Sequence, residues 1–182
     1  MKSIAAKKKS ENIVEYVLYL WQMQDLVRAA GMDLGTVRAF LSSAGGELDL
    51  DGEMTWFAEL ITTMRNHGLV KKGNLPEIDE VLIELNYLHN TLINLLKDTG
   101  YAEAWQAAEP EIDAFLNRAD NKQLNPIEAM LTAMYGVLVL KLQGKTPTAA
   151  TMASIDAFKR VLVKLASQYR DMRSGTRHFS LN

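Results

Sequence analysis

The stretch Asn12 to Ala30, NIVEYVLYLWQMQDLVRAA, constrains the fold more than any other part of this chain. At about 100° per residue its apolar side chains point to almost every side of a helix. Ile13, Val17, Leu20 and Val27 run along one edge, and Val14, Leu18 and Trp21 along another. A helix apolar nearly all the way round belongs inside a protein, with neighbours on several sides. It nevertheless carries Glu15, Gln22, Asp25 and Arg28, which are costly to bury unless each finds a partner. That conflict makes it the first place to look for a site.

The remaining segments follow a helical period too. Gly31 supplies a left-handed stop for the first helix. Asp33 can cap a second helix to about Leu41, closed by Ala44-Gly45-Gly46, and Asp49 or Asp51 a third, ended by His67-Gly68. Pro76 sits well in the first turn of a fourth helix, whose stripe of Ile78, Val81, Leu82, Leu85, Leu88, Leu92, Leu95 and Leu96 is closed by Gly100. Tyr101 to Arg118 reads as a weaker helix, interrupted or kinked at Pro110. Asn125-Pro126-Ile127-Glu128 starts a long apolar helix to Gln143, and Thr146-Pro147 starts the last. No alternating strand pattern, repeat or low-complexity linker interrupts the series. The expectation is an all-α, single-domain bundle of about seven helices over residues 1–182. Helices 12–30 and 126–143 should be central, and residues 1–9 and 174–182 flexible.

Composition excludes several classes of function. The 182 residues carry a net charge of −2, which offers no pull toward nucleic acid or an anionic membrane. No cysteine is present, so disulfides and thiolate chemistry are excluded. Glu15 and Asp25 break the uncharged run that a signal peptide needs, and the Ala129–Leu140 stretch is too short to span a membrane. A cytoplasmic location is expected.

The pairs Asn12-Ile13, Glu15-Tyr16, Leu18-Tyr19, Trp21-Gln22 and Asp25-Leu26, followed by Arg28, resemble the N-terminal signature of an uncharacterised bacterial family, a domain of unknown function. The stretch Gly73 to His89, with Leu75, Glu84-Leu85 and Leu88-His89, is similar to that family's pattern. So is Tyr135-Gly136 followed by Leu140, Leu142 and Gln143. The family pattern has an acidic residue where Gln24 stands and an arginine where Lys141 stands. The resemblance implies a single helical domain in the cytoplasm and supplies no activity.

Candidate sites are few. Asn12, Glu15, Tyr19 and Gln22 lie within about 80° of one another on the first helix, since spacings of three and four meet on a face; Asp25 follows Gln22 by one turn and Arg28 follows Asp25 by three residues. Around a cavity, the carboxylates could move protons and Arg28 could clamp an anion. The competing structural account pairs Asp25 with Arg28 and ties the others to neighbouring helix ends. His89 lies on an apolar stripe and reads as a core histidine bonded to a neighbour. His67 and His178 offer no ligand spacing, so neither a metal nor a cofactor is expected. Asn86, Asn90 and Asn94 mark a solvent face of the fourth helix. Leu26 to Leu41 has the outline of a helix-turn-helix, but Val27 fills the position that needs a small residue. Only Thr36 and Arg38 could reach bases, so nucleic-acid binding is the weakest reading. With no catalytic template matched, the leading expectation is a non-enzymatic protein that associates with itself or with a protein partner. The alternative is a small-molecule pocket beside helix 12–30.

Overall fold

In a computed structural model that describes residues 2–43, 50–118 and 121–175, the chain is all-α. Its helices are α1 (Lys2–Glu11), α2 (Ile13–Ala29), α3 (Leu34–Ser43), α4 (Leu50–Asn66), α5 (Pro76–Asn90), α6 (Thr99–Leu116), α7 (Pro126–Leu142) and α8 (Ala149–Arg173). A π-helical turn, Thr91–Leu95, follows α5. Among the described residues no strand is formed. The described residues thus form eight α-helices, one more than hydrophobic period suggests. The addition is α1, whose sequence KSIAAKKKSE has no apolar stripe and buries only Ala5. Its lysines instead meet glutamates of neighbouring helices. Lys2 lies 3.9 Å from Glu59, Lys8 2.7 Å from Glu15 and Lys9 3.7 Å from Glu77.

Two compact units emerge from the contacts: Met1–Glu11 with Glu15–Glu80, and Asn12–Val14 with Val81–Asn182. In the first unit α3 packs on α4, and Val37, Phe57, Ile61 and Met64 are buried. Helix α2 is buried on most sides, with Ile13, Val17, Leu20 and Val27 almost fully shielded. In the second unit α6, α7 and α8 pack pairwise, most extensively α6 against α8. Tyr101, Ile112, Met130, Phe158, Val161 and Leu165 are among its buried side chains.

Several helix ends form as their residues dictate. Asp33 Oδ1 accepts from the Thr36 amide at 2.7 Å and opens α3. Asn125 Oδ1 accepts from the Glu128 amide at 2.9 Å, with Pro126 in the first position of α7. Other ends differ from expectation. Helix α4 already begins at Leu50, so Asp51 lies in its first turn and pairs with Arg38 at 3.1 Å. The closure at 44–46, the alternative cap Asp49 and the tail with His178 lie outside the described residues. The α5 stripe does not run to Gly100. It gives way to the π-helical turn, Lys97 takes a left-handed φ of 49°, and Asp98 then caps α6. Gly100 falls inside the first turn of α6, and Pro110 sits within the helix without ending it. The last helix starts two residues after Pro147, with Thr148 as its cap.

Helix α7 is the main departure. Its first half is buried at Ile127, Ala129, Met130 and Leu131, as a central helix should be. Its second half is not: Gly136 is exposed, Leu138 to Leu140 are half-buried, and Leu142 is 71% exposed. Apolar residues on every side of this half therefore serve two purposes, packing on one side and lining open space on another.

Candidate functional site

The polar residues of α2 face different surroundings. Arg28, whose side chain is 18% exposed, donates from Nε to the Leu69 carbonyl at 3.2 Å and from Nη2 to the Gly73 carbonyl. Its Nη1 donates to Asp25 Oδ1 at 3.0 Å. One guanidinium thus fixes the whole segment that connects α4 to α5. Two more α2 side chains hold the same segment. Gln24, fully buried, accepts the Leu75 amide on Oε1 at 2.8 Å, and Trp21 donates Nε1 to Asn74 Oδ1 at 2.9 Å. Asn74 in turn donates to Asp79 at 2.9 Å. The remaining candidates go elsewhere. Glu15 is exposed and pairs with Lys8, Gln22 is half-buried, and Tyr19 is buried, its hydroxyl pushed up to about 12 by that burial. Asp25 and Arg28 are therefore brought together, but the five do not converge on one space. A cavity of about 260 Å³ does lie beside α2, lined by Tyr16, Leu20, Trp56, Leu60, Leu75 and Glu77 among others; none of the five residues lines it.

His89 is a core histidine, as its place on the stripe suggests. Its Nδ1 lies 2.9 Å from the Tyr101 hydroxyl, and its ring packs 4.2 Å from that of Trp105. Burial lowers its pKa to about 4, so the ring is neutral near pH 7. The same burial raises Tyr101. The two groups offered for base contact in a helix-turn-helix are both engaged within the chain. Thr36 Oγ1 donates to Asp33 at 2.8 Å, and Arg38 bonds Asp51.

The larger cavity, about 420 Å³, opens between α6, α7 and α8. Each helix contributes side chains at helical spacing. Helix α6 gives Glu111, Ala114 and Phe115, with Arg118 just beyond its end; α7 gives Thr132, Ala133, Gly136, Val137 and Leu140; α8 gives Thr151, Ser154, Ile155 and Phe158. Small residues on α7 leave room along one wall of the groove. At Gly136 a Cβ would meet nothing within 4 Å, so the backbone itself forms part of the wall. Polar groups stand among the apolar ones. Ser154 Oγ donates to Glu111 Oε2 at 2.6 Å, and the Arg118 guanidinium rests 5.5 Å from the centre of the Phe115 ring.

The whole helical arrangement carries a family assignment. Residues 2–176 match the model of a family described as "Domain of unknown function (DUF4924)". The chain belongs to this family. It is also similar to a chalcone–flavanone isomerase from Saussurea medusa, 26% identical over 130 residues. That alignment covers 70% of this chain and 55% of the isomerase, so the chain spans about half the length of the curated relative it matches. No solved structure matches it.

None of the groove-lining residues of this DUF4924 domain was singled out as a site from the sequence, although Gly136 and Leu140 lie in the stretch that is similar to the family pattern. One signal was present. Thr132, Ala133 and Gly136 place small side chains on one face of a helix otherwise built of large apolar residues. Small residues on a packed helix either let another backbone approach or leave a hollow.

Proposed function

We propose that this domain is a non-enzymatic binding protein that takes a small, largely apolar molecule in the α6–α7–α8 groove. The supporting observation is the groove's make-up: about 420 Å³, with most of its lining apolar or small and a few polar groups among them. Ligand sites are typically concavities of roughly 300–1,000 Å³ with that balance. The polar set of α2 supports the same reading from the other direction, because its strongest donors hold a connecting segment. The likeness to the isomerase reaches 26% identity and assigns no residue here a role, so no isomerisation is proposed. The absence of cysteine supports action in a reducing compartment such as the cytoplasm.

The test is a titration with 1-anilinonaphthalene-8-sulfonate, whose fluorescence rises in apolar surroundings. Saturable binding is expected, weakened at least about tenfold in Gly136→Leu, because a side chain there fills the groove. Thermal denaturation should show the variant folded. Equal dye binding by both proteins would overturn the proposal.

Self-association is a second reading, supported by a different surface. On α5, Ile83 is 70% and Tyr87 74% exposed, one turn apart, and Leu95 in the following π-helical turn is 60% exposed. Sedimentation equilibrium on the wild type and Tyr87→Lys decides this one. A dimer abolished by the lysine supports it, and a wild-type monomer at all concentrations sinks it.

A further inference from the structure

The cavity of about 260 Å³ in the first unit is built from two unlike parts. Helix α1 supplies Lys2, Ala5, Ala6 and Lys9. The rest includes Tyr16 and Leu20 of α2, Trp56 and Leu60 of α4, and Leu75. These are anchored in the core: Tyr16, Leu20, Leu60 and Leu75 are buried, and the Trp56 ring packs edge-on at 4.9 Å from that of the fully buried Phe57. Helix α1 has no such anchor. It buries Ala5, and its lysines reach Glu59, Glu15 and Glu77 through side chains between 30% and 74% exposed. Ion pairs that wet contribute little, and one alanine removes little apolar area from water. A ten-residue helix is also too short to persist by itself. Nor does α2 need α1 to begin. After a break of one residue, Asn12 Oδ1 accepts the Val14 amide at 3.1 Å and caps α2 afresh.

We propose that α1 is a lid over this cavity, hinged at Asn12 and poised by its lysine–glutamate pairs, which opens while α2 and α4 stay folded. The proposal concerns a different cavity from the α6–α7–α8 groove and does not rest on the binding reading above. An element with one buried residue and wet ion pairs opens at far lower free energy than the core it covers. Closed, α1 keeps the aromatic and aliphatic wall of Tyr16, Leu20, Trp56, Leu60 and Leu75 from water on its side of the cavity. Open, those side chains form one apolar face. Faces of that kind attract apolar molecules and other proteins, so the lid is an autoinhibitory cover that the chain carries for itself. Its control is electrostatic. Lys8 and Glu15, 2.7 Å apart, are the closest of the three pairs, and a charge of the wrong sign there turns attraction into repulsion.

Fluorine NMR on the full chain labelled with 5-fluorotryptophan tests the lid, because the chain has three tryptophans and Trp56 alone among them lines the cavity. In Lys8→Glu the open fraction should rise roughly tenfold. The Trp56 resonance should then move toward that of an exposed indole, while those of Trp21 and Trp105 keep their wild-type positions. Adding Glu15→Lys to Lys8→Glu restores the pair with its charges exchanged and should return the Trp56 resonance to its wild-type position. Hydrogen exchange gives a readout that needs no variant. In the wild type the amides of Ala6 to Glu11 should exchange at least about a hundredfold faster than those in the middle of α2 and α4. Three resonances that move together, or equal protection of α1 and α2, would show one cooperative unit and overturn the lid. A Trp56 resonance unmoved in Lys8→Glu, or one still displaced in the exchanged pair, would overturn its control by charge.

Discussion

Two regions of this molecule use polar side chains in opposite ways. On α2, Arg28, Trp21 and the Gln24 Oε1 atom bond to backbone and side chains of residues 69–75, while the buried Gln24 Nε2 meets no acceptor among the described residues. In the α6–α7–α8 groove, Glu111 and Arg118 stand beside open volume, where among the described residues Glu111 meets the Ser154 hydroxyl and Arg118 the Phe115 ring. The contrast separates glue from site. A buried polar cluster on a core helix invites a functional reading, yet bonds directed at backbone carbonyls mark a fastening. Polar groups beside a hollow mark a place where something else can bind.

The sharpest way to break this comparison is Arg28→Met. If the guanidinium is a fastening, the Leu69 and Gly73 carbonyls lose a charged donor and Asp25 loses one of its contacts. Urea denaturation should then show a loss of about 3 kcal/mol. Asp25, with its side chain 51% exposed, is the milder half of the pair, and Asp25→Asn should cost under about 1 kcal/mol. Unchanged midpoints in both variants would return α2 to the list of candidate sites.

A comparable effect should come from pH. His89, buried in the second unit, has its folded pKa near 4 against an ordinary value of 6.5. The unfolded chain therefore binds the extra proton between those values. The stability tied to the neutral ring is complete above pH 6.5 and lost as pH falls toward 4, by about 3 kcal/mol at most. His89→Phe should flatten stability against pH in that window. A slope identical to wild type would show that the ring is not the group responsible.

The smallest effect is the most telling about the groove. Glycine inside a helix costs about 0.5–1 kcal/mol relative to alanine, and the position at Gly136 has room for a Cβ. Gly136→Ala should raise stability by that amount in thermal or urea denaturation. If the same change weakens ligand binding, the glycine is kept for depth at a cost in stability. A loss of stability would mean that the space is not as open as it looks.

The all-helical architecture was legible because period, caps and stops agreed over most of the chain. Asp33, Asn125 and Pro126 start helices where local chemistry says they should. The Asp25–Arg28 pair was legible too, being three residues apart. The partners of Arg28 at Leu69 and Gly73 were not, since they are 41 and 45 residues away. The turn before α6 misled because a non-glycine residue, Lys97, takes the left-handed conformation after a π-helical turn that leaves no mark in hydrophobic period. The groove was hidden for a similar reason. Glu111, Gly136 and Ser154 become neighbours of one cavity only when three helices pack.

Helix α1 has a consequence of its own. With Ala5 its one buried residue, it rests on lysine–glutamate pairs that added salt screens. The reach of such attractions shrinks from about 8 Å at 0.15 M salt to about 3 Å at 1 M, while apolar burial does not weaken. The N-terminal lysines should therefore become open to trypsin as ionic strength rises, under conditions in which the buried cores stay intact. The attachment of this first segment is a property of the surrounding solution as much as of the chain.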